Sequence, residues 1–292
     1  MEALRLSTLL GDYPNTLALK RGELVSPRVA FDFDPVKTAN RAFKRVVRDG
    51  AFDVAELALV TFLQAKAYDK PLVLMPAVVG AGRFQHHCLV YNAERGKLGV
   101  ADLAGKRIGI RAYAQTTVTW VRGILAEEYG VDLSRIQWVT AEDGHLAEYP
   151  DPQGVIRDER RAVDLLLAGE LDAAIIGTDL PDDPRLAPVL PDPHEAAAAW
   201  GARLGLTPIN HMMAINRSLC EQHPEVVREI YRLLQESKQR AAPGANTPDL
   251  TPFGIDANRR ALETIIRYSH QQGLIPRCYA VDELFDDVTR YL

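Results

Sequence analysis

No stretch of the 292-residue chain approaches the roughly 20 consecutive apolar residues that a membrane-spanning helix requires. The opening MEALRLSTLL is broken by Glu2 and Arg5 and lacks the basic, then apolar, then small-residue layout of a secretory signal. We therefore expect a first strand there, and a cytoplasmic chain. Cysteine is scarce: Cys88, Cys220 and Cys278 are an odd number without paired spacing, which reads as isolated thiols in a reducing compartment. Positive charge is not in excess. Lys and Arg number 34 against 39 Asp and Glu, and a net charge of −5 argues against nucleic acid or an anionic membrane as partner. The 7 histidines show no zinc-type spacing. Phosphate loop, Gly-x-Ser-x-Gly elbow and Cys/His nucleophile signatures are all missing. No metal ligand set is assigned, although two histidines and a carboxylate could still converge on a divalent metal in space. An anionic ligand would have to be held by local arginines against the overall field.

What is present is ordinary globular material, 47% apolar and 25% charged, enough for a sizeable core. Leu4 to Leu9 is a short apolar run ending at Gly11-Asp12-Tyr13-Pro14, a strand and a turn. Val29 to Phe33 alternates like a strand, and Val36 to Arg48 has helical spacing closed by Asp49-Gly50. Phe52 to Leu59 reads as a buried strand, Thr61 to Tyr68 as a helix, and Pro71 to Val79 as a central strand. A second unit opens at Asp102-Leu103-Ala104-Gly105-Lys106. It continues as strand Arg107 to Arg111, a polar loop, helix Val118 to Tyr129 and strand Ile136 to Thr140. Helix Arg160 to Ala168 and strand Leu171 to Ile176 follow. Leu180 to Pro193 is a connecting loop, and Glu195 to Leu204 a helix. His211 to Asn216 is a strand. Helices Pro224 to Arg240 and Asp256 to Gln272 are joined by the Pro- and Gly-containing stretch 241–254. This rhythm predicts an α/β fold with mostly parallel sheets. Breaks near 92–100 and 207–209 predict one lobe from 1–92 plus 208–292, a second from 93–207, and a ligand cleft at the crossovers.

Several segments in order along nearly the whole chain resemble one family. They are Gly11-Asp12-Tyr13, Phe52-Asp53-Val54-Ala55-Glu56-Leu57, Arg83-Phe84-Gln85-His86, Asp102-Leu103-Ala104-Gly105-Lys106-Arg107-Ile108-Gly109 and Trp120-Val121-Arg122-Gly123-Ile124-Leu125. Leu206-Thr207-Pro208-Ile209-Asn210-His211, Asn258-Arg259-Arg260-Ala261-Leu262-Glu263 and Gln272-Gly273-Leu274-Ile275-Pro276-Arg277 complete the set. Together they resemble the 4,5-dihydroxyphthalate decarboxylases. The Asp-Leu-x-Gly-Lys element is shared with solute-binding proteins and implies their two-lobed, type II periplasmic-binding-protein-like scaffold. The Arg-x-x-His, Pro-Ile-x-His and Gln-Gly-Leu-x-x-Arg elements are more particular to the decarboxylases. Gln85 stands where the family usually has arginine, and Asn40 where glutamate is common. A related carboxylated phenol is therefore as tenable a substrate as the namesake.

The resemblance implies a lyase of aromatic degradation that removes CO2 from a hydroxylated aromatic acid without an organic cofactor. A hydroxyl para to the carboxylate pushes electrons into the ring, the ring carbon takes a proton, and CO2 leaves. The protein must supply cations for carboxylates, a general acid and an acceptor for the phenolic proton. His and Glu suit the proton transfers, and Arg suits carboxylates through its planar fork. Arg83 and Arg111 are the expected carboxylate clamps. His86 or His211, one at each expected crossover, would protonate the ring, and Glu56 would accept the phenolic proton. Thr116 and Thr117 open a helix whose free N–H groups can seat a carboxylate, or serve only as caps. Asp179 lines the cleft or belongs to a turn; Trp120 reads as core. The competing reading is a solute-binding protein for a small aromatic or other carboxylate. A pyrimidine-precursor enzyme on the same scaffold would show a Cys- and His-rich pattern that this chain does not have. The expected partner is a small aromatic carboxylate, and a homo-oligomer is compatible with the sequence.

Overall fold

Short apolar runs bounded by Gly, Pro and Asp become strands throughout, and the longer amphipathic segments become helices. The computed structural model describes residues 3–241 and 248–292. Residues 242–247, part of the joining stretch 241–254, lie outside the described residues, as do Met1 and Glu2. In chain order the elements are β1 (Leu4–Leu9), α1 (Leu17–Lys20), β2 (Val29–Phe33), β3 (Val54–Ala58), α2 (Leu59–Ala67) and β4 (Leu72–Val78). Next come β5 (Leu89–Asn92), β6 (Arg107–Ile110), α3 (Thr116–Tyr129), β7 (Gln137–Thr140), β8 (Ile156–Arg157) and α4 (Ala162–Ala168). The chain closes with β9 (Ala173–Ile175), β10 (Leu186–Pro188), α5 (Pro193–Leu204), β11 (His211–Asn216), α6 (Arg217–Gln222), α7 (Pro224–Arg240) and α8 (Ile255–Gln271).

Two compact units result, Met1–Arg83 with Ile209–Leu292, and Phe84–Pro208. The first carries a mixed sheet in the order β2-β1-β3-β11-β4. β1 runs parallel to β2 and β3, while β11 is antiparallel to both β3 and β4. Leu6, Val54, Met75, Met213 and Ile215 of this sheet share a core with Val227, Ile230 and Leu234 of α7. The second unit carries the sheet β10-β5-β9-β6-β7-β8, parallel except where β5 meets β9 and β10. Its two faces are both covered. Ile108, Ile110, Ala173 and Ile175 pack with Val118, Val121 and Leu125 of α3, while Val139 and Ala174 pack with Leu165 and Leu166 of α4. Strands buried on both faces explain why these runs read as continuously apolar.

Three expectations change. Residues 84–92 join the second unit instead of the first, because β5 hydrogen-bonds to β9 and β10 and takes the preceding loop with it. The single helix expected over Val36 to Arg48 is instead a 3-10 turn, Ala39–Ala42, followed by a π turn, Arg45–Asp49. Gly50, at φ 60°, closes that second turn by donating its N–H to the Arg45 carbonyl. Finally, α3 starts at Thr116, so Thr116 and Thr117 open it as expected, and only the bound read from apolar spacing, Val118, moves.

Candidate active site

β3 is an unusual strand: all five residues are buried, and the middle one is Glu56, with no exposed surface. Its surroundings follow from strand register. β11 pairs Met213 with Glu56 and His211 with Ala58, so the two-residue side-chain period sets His211 and Glu56 on one face as diagonal neighbours. β1 pairs Leu9 with Ala55, which brings the next stretch, Leu10 to Tyr13, alongside the carboxylate.

The result is a carboxylate surrounded by donors. The Gly11 N–H donates to Glu56 Oε2 (2.8 Å), the Tyr13 hydroxyl donates to Oε1 (2.6 Å), and His211 Nδ1 lies 2.6 Å from the same Oε1. An acceptor-only carboxylate requires the proton on Nδ1, so the neutral ring of His211 carries its lone pair on Nε2. The His211 side chain retains 24% exposure, in contrast to the carboxylate beneath it. The Phe43 ring meets His211 edge-on, centroids 5.2 Å apart. Burial, and then the Glu56 charge, push the Tyr13 hydroxyl well above the ordinary tyrosine range, so it stays a donor. Two glycines border the arrangement. A Cβ on Gly11 would come within 2.6 Å of the Tyr13 ring, and one on Gly80 within 3.4 Å of His211 Nδ1.

Glu56 was expected to meet the phenol directly. With no surface and both oxygens engaged, it touches His211 and Tyr13 instead. Arg83, half-buried, ends the first unit's N-terminal segment. The other candidates lie in the second unit. His86 is 1% exposed, in a 3-10 turn, packed edge-on against Trp200 (5.5 Å between centroids), with Nδ1 unpartnered. Burial lowers its pKa to about 4. Its neighbour His87 stacks on His194. Arg111 follows β6, half-buried, with an unpartnered Nε. Thr116 and Thr117 are buried in the first turn of α3. Asp179 is exposed in the turn after β9, and Trp120 is core. Sequence reasoning missed Tyr13 as a site residue, although it stood inside the Gly11-Asp12-Tyr13 element. Among the described residues, no group of three or more His, Cys, Asp or Glu is placed to hold a metal.

Over 97% of its length the chain is 32% identical to the 4,5-dihydroxyphthalate decarboxylase of Comamonas testosteroni, of which the match covers 90%. This chain belongs to the 4,5-dihydroxyphthalate decarboxylase family. The decarboxylase of Pseudomonas putida with the same name is 31% identical over 68% of the chain and 82% of its own length. No family model matches. Among solved structures, the alkanesulfonate-binding protein SsuA of Xanthomonas axonopodis pv. citri superposes with a TM-score of 0.59 at 16% identity, covering 98% of this chain and 99% of that one. The periplasmic aliphatic sulphonate-binding protein SsuA of Escherichia coli gives 0.59 at 15%, with full coverage of both. These two show the fold alone: an α/β fold of the periplasmic-binding-protein type. At the two departures from the family pattern, Gln85 is fully buried with Cys88 Sγ 3.6 Å from its Oε1, and Asn40 is half-buried with Oδ1 unpartnered.

Proposed function

We propose that this protein is a carboxy-lyase that decarboxylates 4,5-dihydroxyphthalate or a closely related carboxylated phenol by protonating the ring carbon that bears the departing carboxylate. Family membership supports the reaction class. The observation that carries the mechanism is the buried Glu56 carboxylate 2.6 Å from His211 Nδ1, which turns Nε2 outward and stabilises the imidazolium. A receptor that only holds a carboxylate has no need of such a proton-transfer pair.

In the proposed step His211 first takes a proton from solvent on Nε2 and becomes the imidazolium, the para hydroxyl gives up its proton to solvent, and its electrons enter the ring. The ipso carbon takes a proton from His211 Nε2, the C–C bond breaks with its electron pair returning to the ring, and CO2 departs as aromaticity is restored. The phenolate regains a proton, so the net change is one proton taken up for one CO2 released. His211 is the preferred donor of the two histidines, because the Glu56 carboxylate stands behind its Nδ1, whereas burial disfavours the charged form of His86. Arg83 and Arg111, with the α3 N-terminus at Thr116 and Thr117, are the proposed carboxylate contacts. The reading includes a cytoplasmic setting and no organic cofactor.

The test is CO2 release from the purified chain with 4,5-dihydroxyphthalate, hydroxybenzoates and unsubstituted phthalate, each with and without chelator. Turnover of the para-hydroxylated acids alone, unaffected by chelator, is expected. Tight binding of a hydroxyphthalate without CO2 release would instead favour a solute receptor. Arg83→Ala should raise KM with a smaller fall in kcat, as for a contact of equal strength in ground and transition states.

A further inference from the structure

We propose that Tyr13 is a positioning residue of this site: its hydroxyl, together with the Gly11 N–H, locks the buried Glu56 carboxylate, which in turn fixes the ring and tautomer of His211. The inference rests on His211 being the proton donor and deepens that reading by assigning what makes it competent. Glu56 then acts wholly through His211, as a second positioning residue.

The argument starts from the cost of the carboxylate. An ionised side chain without exposed surface needs its lone pairs satisfied, and Glu56 finds all three of its donors within 2.8 Å. Two of them, the Gly11 N–H and the Tyr13 hydroxyl, lie only two residues apart on one short loop. That loop is itself tied down. The Thr16 hydroxyl donates to the Gly11 carbonyl (2.7 Å), and the Tyr13 N–H donates to Thr16 Oγ1 (3.0 Å). Lys20 Nζ donates to the Leu10 carbonyl (2.6 Å) and pairs with Asp12. A tyrosine free to rotate would let Glu56 choose among rotamers; this one is held from both sides.

Sharing Oε1 is what gives Tyr13 leverage on the chemistry. Its hydroxyl and the imidazole Nδ1 meet the same oxygen, each at 2.6 Å. The position and charge of that atom decide where the imidazole points and how well the imidazolium is stabilised. Gly80 flanks both partners: a Cβ there would sit 3.4 Å from His211 Nδ1 and 3.6 Å from the Tyr13 ring and hydroxyl. The hydroxyl does not itself move a proton in this scheme. It remains protonated, because burial and the adjacent carboxylate both disfavour a tyrosinate.

Tyr13→Phe tests this with minimal change of shape. Two readouts are taken together: steady-state CO2 release from 4,5-dihydroxyphthalate, and the ¹⁵N-edited spectrum of His211 in histidine-labelled protein. We expect kcat to fall roughly tenfold, the scale of one charge-assisted hydrogen bond lost from the transition state, with KM changed less than about twofold. The Nδ1–H resonance of His211 should shift or broaden, and Glu56→Gln, which removes the charge, should shift it further. An unchanged kcat, or an unchanged Nδ1–H resonance in a folded Tyr13→Phe protein, would overturn the proposal. If the wild type releases no CO2, the decarboxylase reading falls, and the His211 resonance still decides whether Tyr13 holds that ring.

Discussion

Taking a carboxylate wholly out of water costs several kcal/mol unless hydrogen bonds replace the lost solvent, and Glu56 receives three. His86 illustrates the opposite solution, a buried imidazole left neutral. Its pKa near 4 lies below the ordinary value of 6.5, so between those values the unfolded chain binds a proton that the folded chain refuses. The sign follows: this contribution to stability is fully present above about pH 6.5 and is lost as pH falls toward 4. The loss amounts to about 3 kcal/mol at most. Urea midpoints at pH 7 and pH 5 should therefore differ less in His86→Gln than in the wild type. An equal drop in both proteins would remove His86 from the account.

Elements place these residues, and here the sequence was legible in part. A largely apolar run, Phe52 to Leu59, announced β3, and Glu56 was the carboxylate singled out within it. The apolar stretch from His211 announced β11. Their partnership with Tyr13 was not legible, because 43 residues separate Tyr13 from Glu56 and 155 separate Glu56 from His211, and no periodicity links them. β5 was also missed. Leu89 to Asn92 is too short to declare a partner, and only its pairing to β9 and β10 shows which sheet owns it. The turns at Ala39–Ala42 and Arg45–Asp49 share the apolar spacing of an ordinary helix, which conceals the change of winding. In β6, Gly109 has a packing role that spacing alone could not reveal. A Cβ there would strike Leu171 Cδ1 and come within 3.0 Å of Ala162 Cβ. Gly109→Ala should destabilise the second unit by about 1–3 kcal/mol, as overpacking does, read as a lower urea midpoint with an unchanged slope.

On the scale of the whole molecule, each unit has its own sheet and core, and the chain leaves the first after Arg83 and returns at Ile209. The same kind of fold serves alkanesulfonate-binding proteins at 15–16% identity, so architecture alone does not separate receptor from enzyme. In the proposed reading, what separates them is the proton chemistry of His211. No described helix is long and apolar enough to cross a membrane. His211→Asn is the most direct measurement of the central claim, because an asparagine amide can still donate to Glu56 but has no proton to transfer. Affinity for 4,5-dihydroxyphthalate, followed by calorimetry, should stay within severalfold of wild type. CO2 release should fall by roughly 10²–10⁴-fold, the usual worth of a general acid. A folded His211→Asn protein that releases CO2 at the wild-type rate would contradict the account.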